Sequence, residues 1–101
     1  MTETIDLSVV IVTWNSAAFI GRCLDALWAG ASREFECLVV DNHSDDSTVD
    51  IVRRDYPWVR LLTPGRNLGF AAANNLALRQ ATGDYLLLLL SLIPISEPTR
   101  Q

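Results

Sequence analysis

The chain has 101 residues, half of them hydrophobic, and a net charge of -4 that comes from 8 arginines, no lysine and 12 acidic residues. This length allows one domain with one modest core, and the hydrophobic share excludes a disordered chain. The lack of a basic excess disfavours a general nucleic-acid-binding protein, although it leaves room for one arginine site for a phosphate.

Apolar, β-branched runs alternate along the chain with segments of helical periodicity. Four runs are predicted to be strands: 7–13, 35–41, 59–62 and 85–90. Three segments are predicted to be helices: 17–29 (capped by Ser16), 47–55 and 70–81. Strand–helix alternation with short connections gives right-handed βαβ units. The sequence therefore predicts an α/β, Rossmann-like three-layer sandwich with a parallel sheet in the strand order 3-2-1-4.

Residues 90–101 break this alternation. They contain two prolines and no periodicity, so no fifth element is predicted. A four-stranded sheet that ends here would leave an exposed edge. The pattern is that of an incomplete domain.

Neither the start of the chain nor its apolar segments predict secretion or membrane insertion. Residues 1–6 carry two acids and no base, whereas a secretory signal begins with basic residues. The longest apolar stretch, 85–95, contains Ser91 and Pro94 and is shorter than the ~20 residues that span a bilayer. Cys23 and Cys37 lack metal-ligand spacing and are predicted to be buried thiols, so we expect a cytoplasmic protein.

Polar residues are concentrated at the carboxyl ends of the predicted strands. In open parallel sheets, ligands bind at this edge, next to the point where the strand order reverses. Thr13 and Asn15 follow the first strand, Asp41 and Ser44 the second, and the turn-rich loop 65–69 the third. These residues form a candidate ligand site.

Each of these residues also has a purely structural interpretation. Asp41 can accept a hydrogen bond from a base N–H or a ribose hydroxyl, or it can form a turn with its own loop amides. Ser44 can line a ligand or cap the next helix. Arg66 can pair with a diphosphate beside the amides of a helix start, or it can lie on the surface of a glycine turn.

Four segments, taken in order, resemble a known family. They are 9–15, 38–48, 66–75 (RNLGFAAANN) and 83–89. Together they resemble the N-terminal half of a family 2 glycosyltransferase of the GT-A fold, and RNLGFAAANN is most similar to the rhamnosyltransferase-type branch. Residues 1–89 are therefore identified as the nucleotide-sugar-binding part of such a domain, truncated after its first half.

The resemblance implies an enzyme that transfers a sugar, with inversion, from a nucleotide-diphosphate sugar of the UDP or dTDP type to a hydroxyl acceptor. It implies a polysaccharide or lipid-linked acceptor for the full-length parent, and a place at the inner face of the membrane.

The resemblance also assigns roles by position. Thr13 and Asn15 would line the nucleotide site, and Asp41 would hydrogen-bond the pyrimidine base, with Ser44 beside it. Three further residues would flank the nucleotide and its diphosphate: Arg66, Asn67 and Gly69.

The sequence departs from the family's pattern after Leu89. There the family carries an acidic motif that holds a divalent metal, Mg²⁺ or Mn²⁺, against the donor diphosphate. Here no acid follows until Glu97, and the family's later segment with the catalytic base is absent. No metal ligand and no catalytic residue is therefore assigned, and the chain alone is expected to be inactive.

Residues 90–101 do not match the family and resemble a translated sequencing adapter, with a natural truncation or a divergent pseudogene as the alternative. Two other functional classes stay open, a nucleotidyltransferase-like module and a flavodoxin-like one. A nucleotidyltransferase usually has a glycine-rich loop with basic residues after its first strand. A flavodoxin-like receiver has a pair of acidic residues after its first strand. Residues 14–17 (WNSA) match neither.

Overall fold

The structure, a computed structural model, describes residues 7–30, 35–83 and 85–89. Its elements alternate in the order β1 (Leu7–Thr13), α1 (Ala17–Gly30), β2 (Phe35–Asp41), α2 (Thr48–Asp55), β3 (Val59–Leu62), α3 (Phe70–Leu78) and β4 (Tyr85–Leu89). The strands form one parallel sheet in the order β3-β2-β1-β4. The predicted α/β class and strand order are confirmed, and the order reverses between β1 and β4.

Helices cover both faces of the sheet, because successive side chains of a strand point to opposite faces. On one face, Ile20 and Leu24 of α1 and Val52 of α2 pack against the odd-numbered residues of β1 and β2. On the other face, Ala73 and Ala77 of α3 pack against the even-numbered residues. The two small alanine side chains let α3 lie close to the sheet. The predicted three layers are therefore present.

Helix α3 is shorter than predicted. It ends at Leu78 and not at Ala81. The N–H of Gln80 donates to the carbonyl of Ala77, and the N–H of Ala81 donates to that of Leu78. These hydrogen bonds join residues three apart, as in a 3₁₀ turn. The α-helix therefore ends in a tighter turn before Gly83.

The predicted last residue of the fourth strand, Leu90, and the adapter-like tail 90–101 lie outside the described residues. Both stay predictions. In the described part of the chain, no helix has the length and apolar character needed to cross a membrane.

A polar network ties the segment before β4 to the amino-terminal ends of β1 and β2. Glu36 Oε2 accepts hydrogen bonds from Ser8 Oγ (2.6 Å), from the Thr82 N–H (2.6 Å) and from the Thr82 hydroxyl (3.2 Å). Ser8 Oγ also accepts a hydrogen bond from the Gly83 N–H (2.8 Å). Partial burial by itself raises the pKa of Glu36, but the bonds from Ser8 and Thr82 and the charge of Arg60 outweigh it. The pKa therefore lies below its ordinary value of 4.5.

The free energy of unfolding is expected to decrease as the pH falls below 4.5, the ordinary pKa of a glutamate. A carboxyl group with a lower pKa in the folded state contributes stability that is complete above its unfolded pKa and is lost as the folded group takes up a proton. Urea unfolding between about pH 6 and pH 3 measures this dependence, which should be weaker in Glu36→Gln. The same acid dependence in both proteins would contradict the assigned role of Glu36.

Candidate functional site

The carboxyl ends of β1 and β2 place Thr13 and Asp41 side by side. The two residues are register partners in the parallel pair. Thr13 Oγ1 donates a hydrogen bond to Asp41 Oδ1 at 3.0 Å. Asp41 is 2% exposed, so its carboxylate depends on such donors for its solvation. The predicted proximity of these two residues is present in the structure.

The loop after β2 folds back onto the Asp41 carboxylate. The Ser44 N–H donates to Oδ2 (2.8 Å), and the Ser44 hydroxyl donates to Oδ1 (2.6 Å). His43, between them, takes a positive φ of 67°, a left-handed conformation that closes the turn. An ionised carboxylate offers about four acceptor positions. Thr13 and Ser44 fill three of them, so one acceptor position on Oδ2 has no partner among the described residues.

Asn15 joins the loop after β1 to the same cluster. Its N–H donates to Ser44 Oγ (2.8 Å), and its side-chain Oδ1 accepts from the Asp45 N–H (2.7 Å). Its φ of 49° is also left-handed, a conformation that asparagine adopts more readily than most residues. The loops after β1 and β2 are thus cross-linked by four side chains, which we call the Asp41 cluster: Thr13, Asn15, Asp41 and Ser44.

Asn42 connects this cluster to the third loop, and its role was missed in the sequence analysis. Its N–H donates to the Thr13 carbonyl (2.8 Å). Its side-chain Nδ2 donates to the Gly69 carbonyl (3.2 Å), and its Oδ1 accepts from the Leu68 N–H (2.9 Å). The available signal was strand alternation, because the residue after Asp41 faces the opposite side of the sheet, where α3 packs.

The loop before α3 presents the cation Arg66 at the surface. Gly69 takes a φ of 83°, which glycine adopts without strain, and its N–H donates to Asn67 Oδ1 (2.8 Å). Arg66 is exposed, and it makes no hydrogen bond or ion pair within the described residues. The structure therefore brings Asn67 and Gly69 to the cluster through Asn42, whereas Arg66 extends beyond it.

The three helices near the site differ in whether a carboxylate accepts hydrogen bonds from their N-terminal amides. Asp46 Oδ2 accepts from the Ala17 N–H of α1 (3.1 Å), and its Oδ1 accepts from the Thr48 N–H of α2 (3.0 Å). Although partial burial raises the pKa of Asp46, the hydrogen bonds from Thr48 and Ala17 outweigh it and lower that pKa. Helix α3 begins after Gly69 and has no acidic residue in its first turn. Of the three described helices, α3 is thus the one whose positive end no carboxylate satisfies.

Comparison with known proteins settles the family. A family model described as Glycosyl transferase family 2 matches residues 8–89. The chain belongs to this family. The predicted resemblance is therefore confirmed, and so is the GT-A fold, because the structural relatives of the chain are glycosyltransferases.

Three relatives illustrate the similarity. The chain is 38% identical over 74 residues to an N-acetylglucosaminyl-diphospho-decaprenol L-rhamnosyltransferase of Mycobacterium tuberculosis, a match that covers 73% of this chain and 24% of the relative. S. aureus TarS in complex with UDP superposes with a TM-score of 0.78 at 31% identity, over 85% of this chain and 27% of TarS. The mannosyltransferase PcManGT of Pyrobaculum calidifontis, in complex with GDP-Man and Mn²⁺, gives a TM-score of 0.74 at 33% identity, over 84% of this chain and 27% of PcManGT.

The chain thus spans about a quarter of the length of these relatives. The matches do not favour the nucleotidyltransferase-like or flavodoxin-like alternatives.

One structural relative, PcManGT, is in complex with a divalent metal, Mn²⁺. In the ranges that the structure describes, no group of three or more His, Cys, Asp or Glu side chains could hold a metal ion. The position of the family's acidic motif, after Leu89, falls outside these ranges. The described residues therefore do not fit a metal centre, and we assign no step to one.

Proposed function

We propose that this chain is the donor-binding half of a glycosyltransferase that transfers a sugar, with inversion, from a nucleotide-diphosphate sugar to a hydroxyl acceptor. The observation that carries the proposal is the Asp41 cluster, four polar residues linked by hydrogen bonds at the carboxyl edge of the sheet, next to the reversal of strand order between β1 and β4. Membership of family 2 and the UDP complex of TarS support it.

The base would be bound through Asp41. One acceptor position is left on its Oδ2, which suits a base with a single N–H donor between two carbonyl groups. Uracil and thymine have this pattern, whereas guanine presents two adjacent donors. We therefore propose a UDP- or dTDP-type donor for this chain, whereas the relative PcManGT is in complex with a guanine donor, GDP-Man. Thr13, Asn15 and Ser44 would hold the carboxylate and line the nucleoside pocket.

The diphosphate would lie over the start of α3. Arg66 offers a guanidinium that no described residue neutralises, and the first-turn amides of α3 add a partial positive charge. Asn67 and Gly69 shape this turn. A guanidinium fork matches phosphate oxygens, so Arg66 is proposed to bind the diphosphate and Asn67 and Gly69 to flank it.

For the acceptor, we propose a lipid-linked or polysaccharide hydroxyl in the parent enzyme, at the cytoplasmic face of the membrane. The name of the M. tuberculosis relative, which transfers rhamnose to a decaprenol-linked sugar, supports a rhamnosyltransferase-like parent with a lipid-linked acceptor.

Nucleotide-dependent thermal unfolding, checked by calorimetric titration, tests the proposed function. UDP and dTDP are expected to raise the unfolding midpoint as their concentration increases, because a ligand that binds the folded state stabilises it by mass action. FMN, as the ligand of a flavodoxin-like module, is expected to have no effect. Absence of binding at millimolar UDP and dTDP, or a larger effect of FMN, would contradict the proposal.

A further inference from the structure

We propose that Asn42 is a positioning residue that fixes the diphosphate-binding loop relative to the base-binding carboxylate. This inference rests on the proposed function, because it concerns how two parts of one nucleotide site are held together. Asn42 itself would not contact the nucleotide. It would act through the backbone of Leu68 and Gly69, which it bonds with both ends of its side-chain amide.

Asn42 joins its own loop to two other parts of the chain. Its backbone N–H is bonded to the last residue of β1, Thr13. Its side-chain donor and acceptor are bonded to the segment that leads into α3, 26 and 27 residues further along the chain. The residue is 3% exposed, so these bonds are shielded from competing water.

The pair Asp41–Asn42 divides the site between the two faces of the sheet. Asp41 bonds to Thr13 and Ser44 on the side of α1 and α2, and Asn42 bonds to the loop on the side of α3. A nucleotide that crosses the carboxyl edge of the sheet would therefore meet its base partner on one side and its phosphate partners on the other. The distance between these partners would be set by two adjacent residues.

The chemistry of the residue fits this task. A side chain of this length needs a donor for the Gly69 carbonyl and an acceptor for the Leu68 N–H, and an asparagine amide supplies both. Aspartate lacks the donor, and alanine lacks both groups. Loss of the side chain would free the loop that carries Arg66 without removing any group that contacts the nucleotide.

The binding affinities for UDP and uridine distinguish a positioning role from a role in folding. A displaced diphosphate-binding loop weakens binding of UDP alone, because uridine lacks the diphosphate, whereas a folding defect weakens binding of both. In Asn42→Ala, the dissociation constant for UDP is expected to rise about tenfold, since a loosened loop must be ordered on binding, whereas that for uridine should change less than about twofold. NMR titration of the 101-residue chain measures both constants. Asn42→Ser, which cannot make both bonds, provides the same comparison if the alanine variant does not fold.

Ser8→Ala is the matched control. Ser8 is also almost fully buried, at 1% exposed, and its side chain makes two hydrogen bonds, but these lie at the opposite edge of the sheet. It should lower the unfolding midpoint and leave both dissociation constants unchanged. The positioning role would be overturned if Asn42→Ala lost the same affinity for UDP and for uridine, or if Ser8→Ala lost as much affinity for UDP as Asn42→Ala does. In either case, UDP binding by the unsubstituted chain would still uphold the proposed function. No UDP binding by the unsubstituted chain overturns both.

Discussion

Asp41→Asn is expected to weaken UDP binding by about 10- to 100-fold. A hydrogen bond to a charged group contributes ~1.5–3 kcal/mol, and each 1.4 kcal/mol corresponds to a factor of about ten in affinity. The substituted amide has one acceptor oxygen, whereas the carboxylate accepts three bonds from Thr13 and Ser44 and offers a fourth position to the ligand. If the NH₂ group takes the place of Oδ2, it faces both the Ser44 N–H and the N–H of the base; if it takes the place of Oδ1, it faces the hydroxyl groups of Thr13 and Ser44. In both orientations the negative charge that strengthens the bond to the base is lost.

Calorimetric titration with UDP measures this loss, and Asp50→Asn is the control. Asp50 is exposed in the first turn of α2, so its substitution removes the same charge away from the cluster and should leave UDP affinity unchanged. The structural alternative, that Asp41 only forms the turn with Ser44, makes a different prediction. In that case Asp41→Asn would lower the unfolding midpoint and leave the affinity for UDP at the wild-type value.

Gly83→Ala is expected to produce the largest loss of stability among the glycine substitutions. A Cβ at this position would lie 2.7 Å from Ser8 Oγ, 2.8 Å from the Ser8 nitrogen and 2.9 Å from the Leu7 carbonyl carbon. Two of these atoms belong to the backbone of β1 and cannot rotate away. The segment before β4 would have to move off the strand, which would break the hydrogen bond between Gly83 and Ser8.

Overpacking of this kind costs ~1–3 kcal/mol, which lowers the unfolding midpoint by roughly 4–8 °C per kcal/mol in a domain of this size. Thermal unfolding followed by circular dichroism measures the change. Gly30→Ala is the matched control, because nothing lies within 4 Å of an added Cβ at the end of α1. It should leave the midpoint unchanged or raise it slightly. Equal midpoints for the two variants would show that β4 does not depend on this close approach.

The strands were predictable because their signal is local. A run such as residues 7–13 is apolar and β-branched on both faces, which suits a strand covered by helices on each side. The end of α3 was not predictable from periodicity, because the turn at Gln80 and Ala81 forms through backbone bonds that any residue can make. Residues 79–81 (Arg, Gln and Ala) are all good helix formers, so helix propensity continues past the point where the helix ends.

The candidate site was predictable in position but not in its internal bonding. Parallel strands deliver Thr13 and Asp41 to the same edge, so their proximity follows from topology. Ser44 bonds both to Asp41 and to the backbone amide of Asn15. This bonding depends on the left-handed conformations of Asn15 and His43, which sequence periodicity does not reveal. Strand alternation places Asn42 on the side of α3, but nothing in the sequence shows that its side chain bonds to the backbone of Leu68 and Gly69.

The most direct test of the account is to follow backbone amide signals by NMR as UDP is added to the chain. We expect the signals of Asn15, Ser44 and Gly69 to shift together along one binding curve, while those of Ser8 and Thr82 at the opposite edge stay in place. Shifts confined to Ser8 and Thr82, or no shift at any of the five amides at millimolar UDP, would contradict the claim that the Asp41 cluster binds a nucleotide.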